Sequence, residues 1–206
     1  MQSRRHLPAR RRFLAISASA AALALLPQPS QAKLAILPEP LPPSTPIGSG
    51  AFTNAPGAWL RMIKRYPSLH PGKQSLAATA SSRVREAELD HVNRLVNAQV
   101  QFRLDDRENW RPATTAGDCE DFAIRKLELL VKRFAWPRRS LTLATCRAET
   151  GQGHAVLLAH TSRGTYALDN RRADVMPWRA LPYRWVAREE PGSPFALWRT
   201  IATEPA

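Results

Sequence analysis

Around Trp136–Pro137 the hydrophobic rhythm of this 206-residue chain changes, and that switch limits the fold more than any other feature. Upstream, apolar residues recur at helical spacing. Val84, Leu89, Val92, Leu95, Val96 and Val100 make one stripe over residues 82–101, and Ala123, Leu127, Leu130, Val131 and Phe134 make another over residues 118–134. A shorter helix is expected over 56–65, starting near Pro56 and stopping before Pro67. Beyond Ser140 the period becomes two. Strands are expected at Leu141–Cys146, His154–His160, Thr165–Asn170, Tyr183–Arg188 and Phe195–Ile201. Helices first and strands second predict an α+β domain, with N-terminal helices packed on a largely antiparallel sheet. Residues 102–116 read as a loop.

The N-terminus does not fit that pattern. A basic stretch ending in Arg10-Arg11-Arg12-Phe13-Leu14 precedes an apolar run from Ala15 to Leu26, and then Ser30 and Ala32 occupy small-residue positions. This is the order of a secretory signal peptide over residues 1–32, and its arginine pair resembles a twin-arginine signal. The expected location of the mature protein is the periplasm. Five of the chain's +13 formal charges are arginines of that segment, which leaves +8 on the remainder. No basic patch interleaved with aromatics resembles a nucleic-acid module, so nucleic acid is not an expected partner. Five prolines between Pro38 and Pro46 mark residues 33–51 as an extended linker or a surface arm. The globular domain is expected over 52–206.

Cys119 stands in the string Gly117-Asp118-Cys119-Glu120-Asp121, where a loop enters a helix. The positive end of a helix dipole favours a thiolate there, and a nucleophilic cysteine needs that form. Asp118 is placed to cap the helix, and Gly117 to make the entry turn. The base is predicted from a hairpin. If the turn is centred between Ser162 and Arg163, paired residues have numbers that sum to 325. Val156 then faces Asp169, and His154, two residues away, shares its face. An aspartate there can fix the imidazole tautomer. His70, His91 and His160 have no comparable carboxylate. Cys119, His154 and Asp169 are therefore the candidate catalytic residues. A disulfide between Cys119 and Cys146 is the competing role for the two cysteines of an exported chain, but it would silence the nucleophile. Asp118, Glu120 and Asp121 crowd the thiol with negative charge. Helix capping accounts for one or two of them. A hard cation such as calcium would account for all three.

The string GDCEDFAIRKLELL at 117–130 resembles the bacterial transglutaminase-like cysteine proteinases, a family with periplasmic adhesin-cleaving members. VNRLVNAQVQFR at 92–103, GHAVLLAHTSRGTYALDN at 153–170 and YRWVAREE at 183–190 extend the resemblance. It implies a papain-like, transglutaminase-like core with Cys119 as nucleophile, His154 as base and Asp169 as third member. It further implies calcium bound at Asp118, Glu120 and Asp121, and a protein substrate such as the N-terminal region of a large surface adhesin. The partner it implies is an inner-membrane receptor for cyclic-di-GMP. Phe122 stands where better known members carry tyrosine. Two other functions use the same residues or the same fold: acyl transfer to an amine, as in a transglutaminase or amidase, and an exported binding module without catalysis.

Overall fold

A computed structural model describes residues 38–72, 76–105 and 108–202. The expected signal peptide at 1–32 lies outside the described residues. Three α-helices occur where the apolar spacing places them: α1 (Gly57–Arg65), α2 (Arg83–Gln99) and α3 (Cys119–Phe134). Local chemistry sets their ends. Ser82 caps α2 by accepting a hydrogen bond from the Arg85 N–H at 3.2 Å. α3 closes on Ala135 in the left-handed region (φ 51°), Trp136 N–H returns to the Leu130 carbonyl, and Pro137 prevents continuation.

Strands follow in chain order: β1 (Gly48–Thr53), β2 (Gln101–Phe102), β3 (Ala116–Gly117), β4 (Leu141–Arg147), β5 (Gly153–Thr161), β6 (Gly164–Leu168), β7 (Met176–Pro177), β8 (Arg184–Glu189) and β9 (Trp198–Ala202). Seven of them form one sheet in the order β1-β9-β8-β4-β5-β6-β7, and every neighbouring pair is antiparallel. β2 and β3 make a separate two-residue parallel pair that anchors the loop between α2 and α3.

Both faces of the central strands are covered. Leu157, Ala159, Leu141 and Leu143 pack with Leu89, Val92, Val96, Ile124, Leu127 and Leu130 of the helices. Val156, Leu158, Ala144 and Cys146 pack with Trp178, Leu181, Tyr183 and Trp185 on the other face. This second layer explains why β5 reads as a nearly continuous apolar run: its neighbours bury both of its faces.

The Pro-rich arm is built into the fold. Leu41 and Ile47 are buried. Leu41 N–H donates to Glu86 Oε2, the Tyr166 hydroxyl to the Pro42 carbonyl, and the Trp178 indole to the Thr45 carbonyl. β1 then pairs with β9 and crosses the expected boundary between residues 51 and 52. The β5–β6 hairpin needs Gly164 twice over. Its φ is +116°, and a Cβ there would meet the Ser44 carbonyl carbon at 2.5 Å.

Candidate active site

The predicted register is the one observed: Leu157 pairs with Leu168, Leu158 with Ala167 and Ala159 with Tyr166. That register sends His154 and Asp169 to the same face. His154 Nε2 lies 2.8 Å from Asp169 Oδ1, with both side chains almost fully buried. The Asp169 carboxylate also accepts from the Tyr183 hydroxyl at 2.5 Å and from the Arg171 N–H at 3.0 Å. Burial raises the Asp169 pKa, but the hydrogen bond and charge of His154, the Arg171 N–H and Tyr183 outweigh it, so this carboxyl lies below its usual range. Because Nε2–H donates to Asp169, Nδ1 is the basic nitrogen of the ring.

Cys119 is the first residue of α3, and with His154 and Gly153 it lines two cavities of about 620 and 360 Å³. Phe102, Leu104, Ala148, Gln152, Asn170 and Arg171 complete the larger. Trp110, Glu108, Thr145, Arg147 and Val186 are among the walls of the smaller. Trp110 does two things at once, because its ring also packs 6.3 Å from Trp59 in the core. Cys119 and Cys146, the latter on β4, are both free thiols, and the expected competitor, a disulfide, is not formed. His160 is held between Thr142 and Thr165 hydroxyls, and burial drives it down to about 3.

The surroundings of the thiol differ from the simple helix-dipole expectation. Burial pushes the Cys119 pKa up. The Glu120 charge and hydrogen bond add to this, with the thiol donating to Glu120 Oε2 at 3.1 Å, and the Ala155 N–H pulls the other way. Glu120 itself is raised to about 7, chiefly by burial. Asp118 occupies the N-cap position but makes no capping hydrogen bond, which corrects that expectation. Its Oδ1 and Asp121 Oδ2 are buried without a hydrogen-bond partner. Asp121 is raised to about 6, first by burial and then by Asp118 and Asp105, although the Arg111 N–H holds it down. Gly117 is small for a reason not visible in the string: a Cβ would meet Asp121 Cβ at 2.6 Å and Oδ2 at 2.7 Å. Asp118 Oδ1 has no hydrogen-bond partner and Asp121 Oδ2 has only a long ion pair to the Arg111 guanidinium at 3.7 Å, so two buried carboxylate oxygens beside Asp105 form a hard-oxygen environment of the kind that suits calcium. Among the described residues no three or more His, Cys, Asp or Glu side chains already converge on a metal position. Glu120 accepts from the thiol and also hydrogen-bonds Asp118.

Residues 49–205 match the family described as bacterial transglutaminase-like cysteine proteinase. The chain belongs to that family. Calcium-bound LapG of Legionella pneumophila is similar in structure, at 23% identity over 74% of this chain and 84% of that one, with a TM-score of 0.50. The EGTA-treated form is similar at 22% identity over 66% and 75%, with a TM-score of 0.45. At 23% identity the likeness to the calcium-bound form shows the fold alone. No curated protein matches the chain. This family member is a cysteine proteinase with the expected α+β, transglutaminase-like fold, a mixed helix and antiparallel-sheet structure. Sequence reasoning missed Tyr183, Asp105 and Arg111 at the site. Tyr183 opens a segment already singled out, YRWVAREE, yet nothing in its spacing pointed at Asp169.

Proposed function

We propose that this protein hydrolyses a peptide bond in an exported protein, with Cys119 as nucleophile, His154 as base and Asp169 as the group that orients the histidine. The observation that carries the reading is the 2.8 Å bond from His154 Nε2 to Asp169, in an imidazole that borders both cavities with Cys119. Nδ1 takes the thiol proton, and the thiolate attacks the substrate carbonyl carbon. The Cys119 N–H, one of the unpaired donors in the first turn of α3, stabilises the oxyanion. As the tetrahedral adduct collapses, the C–N bond breaks and Nδ1–H protonates the departing amine. Water, deprotonated by the same nitrogen, then cleaves the thioester and regenerates the thiol.

Calcium is the proposed resident cation, held by Asp118 and Asp121, whose buried Oδ1 and Oδ2 lack hydrogen-bond partners and of which only the latter has an ion pair, to Arg111 at 3.7 Å, with Glu120 as a further oxygen donor. Bound there, it would neutralise the carboxylates that crowd the thiol. The similar LapG of Legionella pneumophila is known in a calcium-bound form, which supports the same assignment here. The proposed location of this protein is the periplasm, its proposed substrate the N-terminal region of a large surface adhesin, and its proposed partner an inner-membrane cyclic-di-GMP receptor.

The test compares surface proteins shed by cells carrying wild-type protein and Cys119→Ala, with the new N-termini sequenced. One or more wild-type-specific cleavages are expected. Identical shedding with a normally folded variant would end the reading. EGTA is expected to suppress cleavage and added calcium to restore it, whereas equal rates would remove calcium from the account.

A further inference from the structure

Lys126 is the least expected residue of the core. It is fully buried, its neighbours on α3 include Ile124 and Leu127, and its ammonium makes one hydrogen bond, to Asn93 Oδ1 at 2.8 Å. Lysine is almost never buried completely unless paired, and a Met or Leu would pack there without the cost of desolvating a charge. Burial pulls its pKa down to about 7, and the opposing influence is the Asp169 carboxylate.

The hydrogen bonds continue from Lys126 to the active-site turn. Asn93 Nδ2 donates to the Arg172 and Ala173 carbonyls at 3.0 Å each. Asn97, one helical turn further along α2, donates to the Asp169 carbonyl at 2.9 Å and the Arg172 carbonyl at 2.8 Å. Four carbonyl contacts from two asparagines thus tie the turn that follows β6 to α2. Lys126 ties the same network to α3, about two turns from Cys119 at its start.

We propose that Lys126, with Asn93 and Asn97, is the positioning device of the active site, fixing the turn of residues 169–173, and with it the Asp169 carboxylate, against the helix that carries Cys119. The proposal rests on the reading of Asp169 as the group that orients His154. It explains why a charge is kept in an apolar helix face: a three-donor ammonium reaches an amide oxygen that an aliphatic side chain would leave unpaired. None of the three residues contacts the cleft, so their action passes through the carbonyls they hold.

The experiment uses the full chain after signal removal and two readouts. One is the rate of Cys119 alkylation by iodoacetamide, read by mass spectrometry. The other is the low-field proton resonance of His154 Nε2–H, which reports the bond to Asp169. Asn97→Ala removes two contacts at a half-buried position, and Lys126→Met removes the buried charge. Both variants are expected to slow alkylation about tenfold, the scale of one lost hydrogen bond to a charged group for Lys126→Met and of two lost neutral ones for Asn97→Ala. Both are expected to shift or broaden the resonance. A role in stability alone would lower Tm and leave both readouts unchanged in the folded fraction, and that result would overturn the proposal. If Lys126→Met does not fold, Asn97→Ala decides. Asp169→Ala, run in parallel, separates the premises: wild-type alkylation in that variant refutes the role of Asp169, while slowed alkylation there with unchanged Asn97→Ala and Lys126→Met refutes the positioning device alone.

Discussion

Tyr183→Phe is the sharpest test of how the His154–Asp169 pair is held. The substitution removes one hydroxyl and keeps the ring that packs edge-on against His154 at 5.4 Å. It costs Asp169 Oδ2 a buried hydrogen bond of 2.5 Å. Hydrogen bonds to charged groups are worth about 1.5–3 kcal/mol. Among the groups that hold this carboxylate down, Tyr183 ranks behind His154 and the Arg171 N–H, so the low end applies. A loss of about 1.5 kcal/mol is about one power of ten in rate, if it falls on the orientation of the imidazole. The pH dependence has a definite sign. Asp169 lies below its ordinary 3.8, so its contribution is present above that value and lost as pH falls through the lower folded-state pKa. Removing the hydroxyl raises that pKa, and the acid limb of activity moves to higher pH. The assay is iodoacetamide trapping of Cys119 from pH 3 to 8 on folded protein. Rates and acid limb matching wild type would refute the argument that Tyr183 supports the carboxylate.

Three further outcomes are expected. Gly117→Ala should lower stability by about 1–3 kcal/mol, the usual cost of overpacking, and slow Cys119 trapping, because the new methyl displaces Asp121; an unchanged Tm would contradict the contact. Thermal stability should fall as pH drops from His160's ordinary 6.5 through its folded value of about 3, since the unfolded chain takes the proton first; His160→Gln should flatten that slope, and an unaltered slope would point elsewhere. Protein purified without reductant should titrate two free thiols under denaturing conditions, and fewer than two would contradict the separate roles of Cys119 and Cys146.

The helices and the central hairpin were legible because their signals are local. Helical spacing marked α2 and α3, and the Ser162-Arg163 turn determined a register that brought His154 to Asp169. β1 was not legible: GSGAFT has little apolar alternation, and it is a strand because β9 offers it an edge. Lys126 escaped for a related reason. A charged residue in a helix reads as solvent-facing, and it is Asn93 of a second helix, some thirty residues upstream, that accepts its hydrogen bond in the core. That Glu120 reaches both the thiol and Asp118 is a rotamer choice that spacing does not encode.

The proline-rich arm has a practical consequence for any shortened version of this protein. A chain begun at β1, where the family match starts, would strip Glu86 Oε2 of its Leu41 amide, leave the Tyr166 phenol and Trp178 indole without acceptors, and uncover the pockets under Leu41 and Ile47. Tyr166 and Trp178 lie on opposite sides of the sheet, so such a truncation would loosen both layers at once and soften the hairpin that aims the histidine.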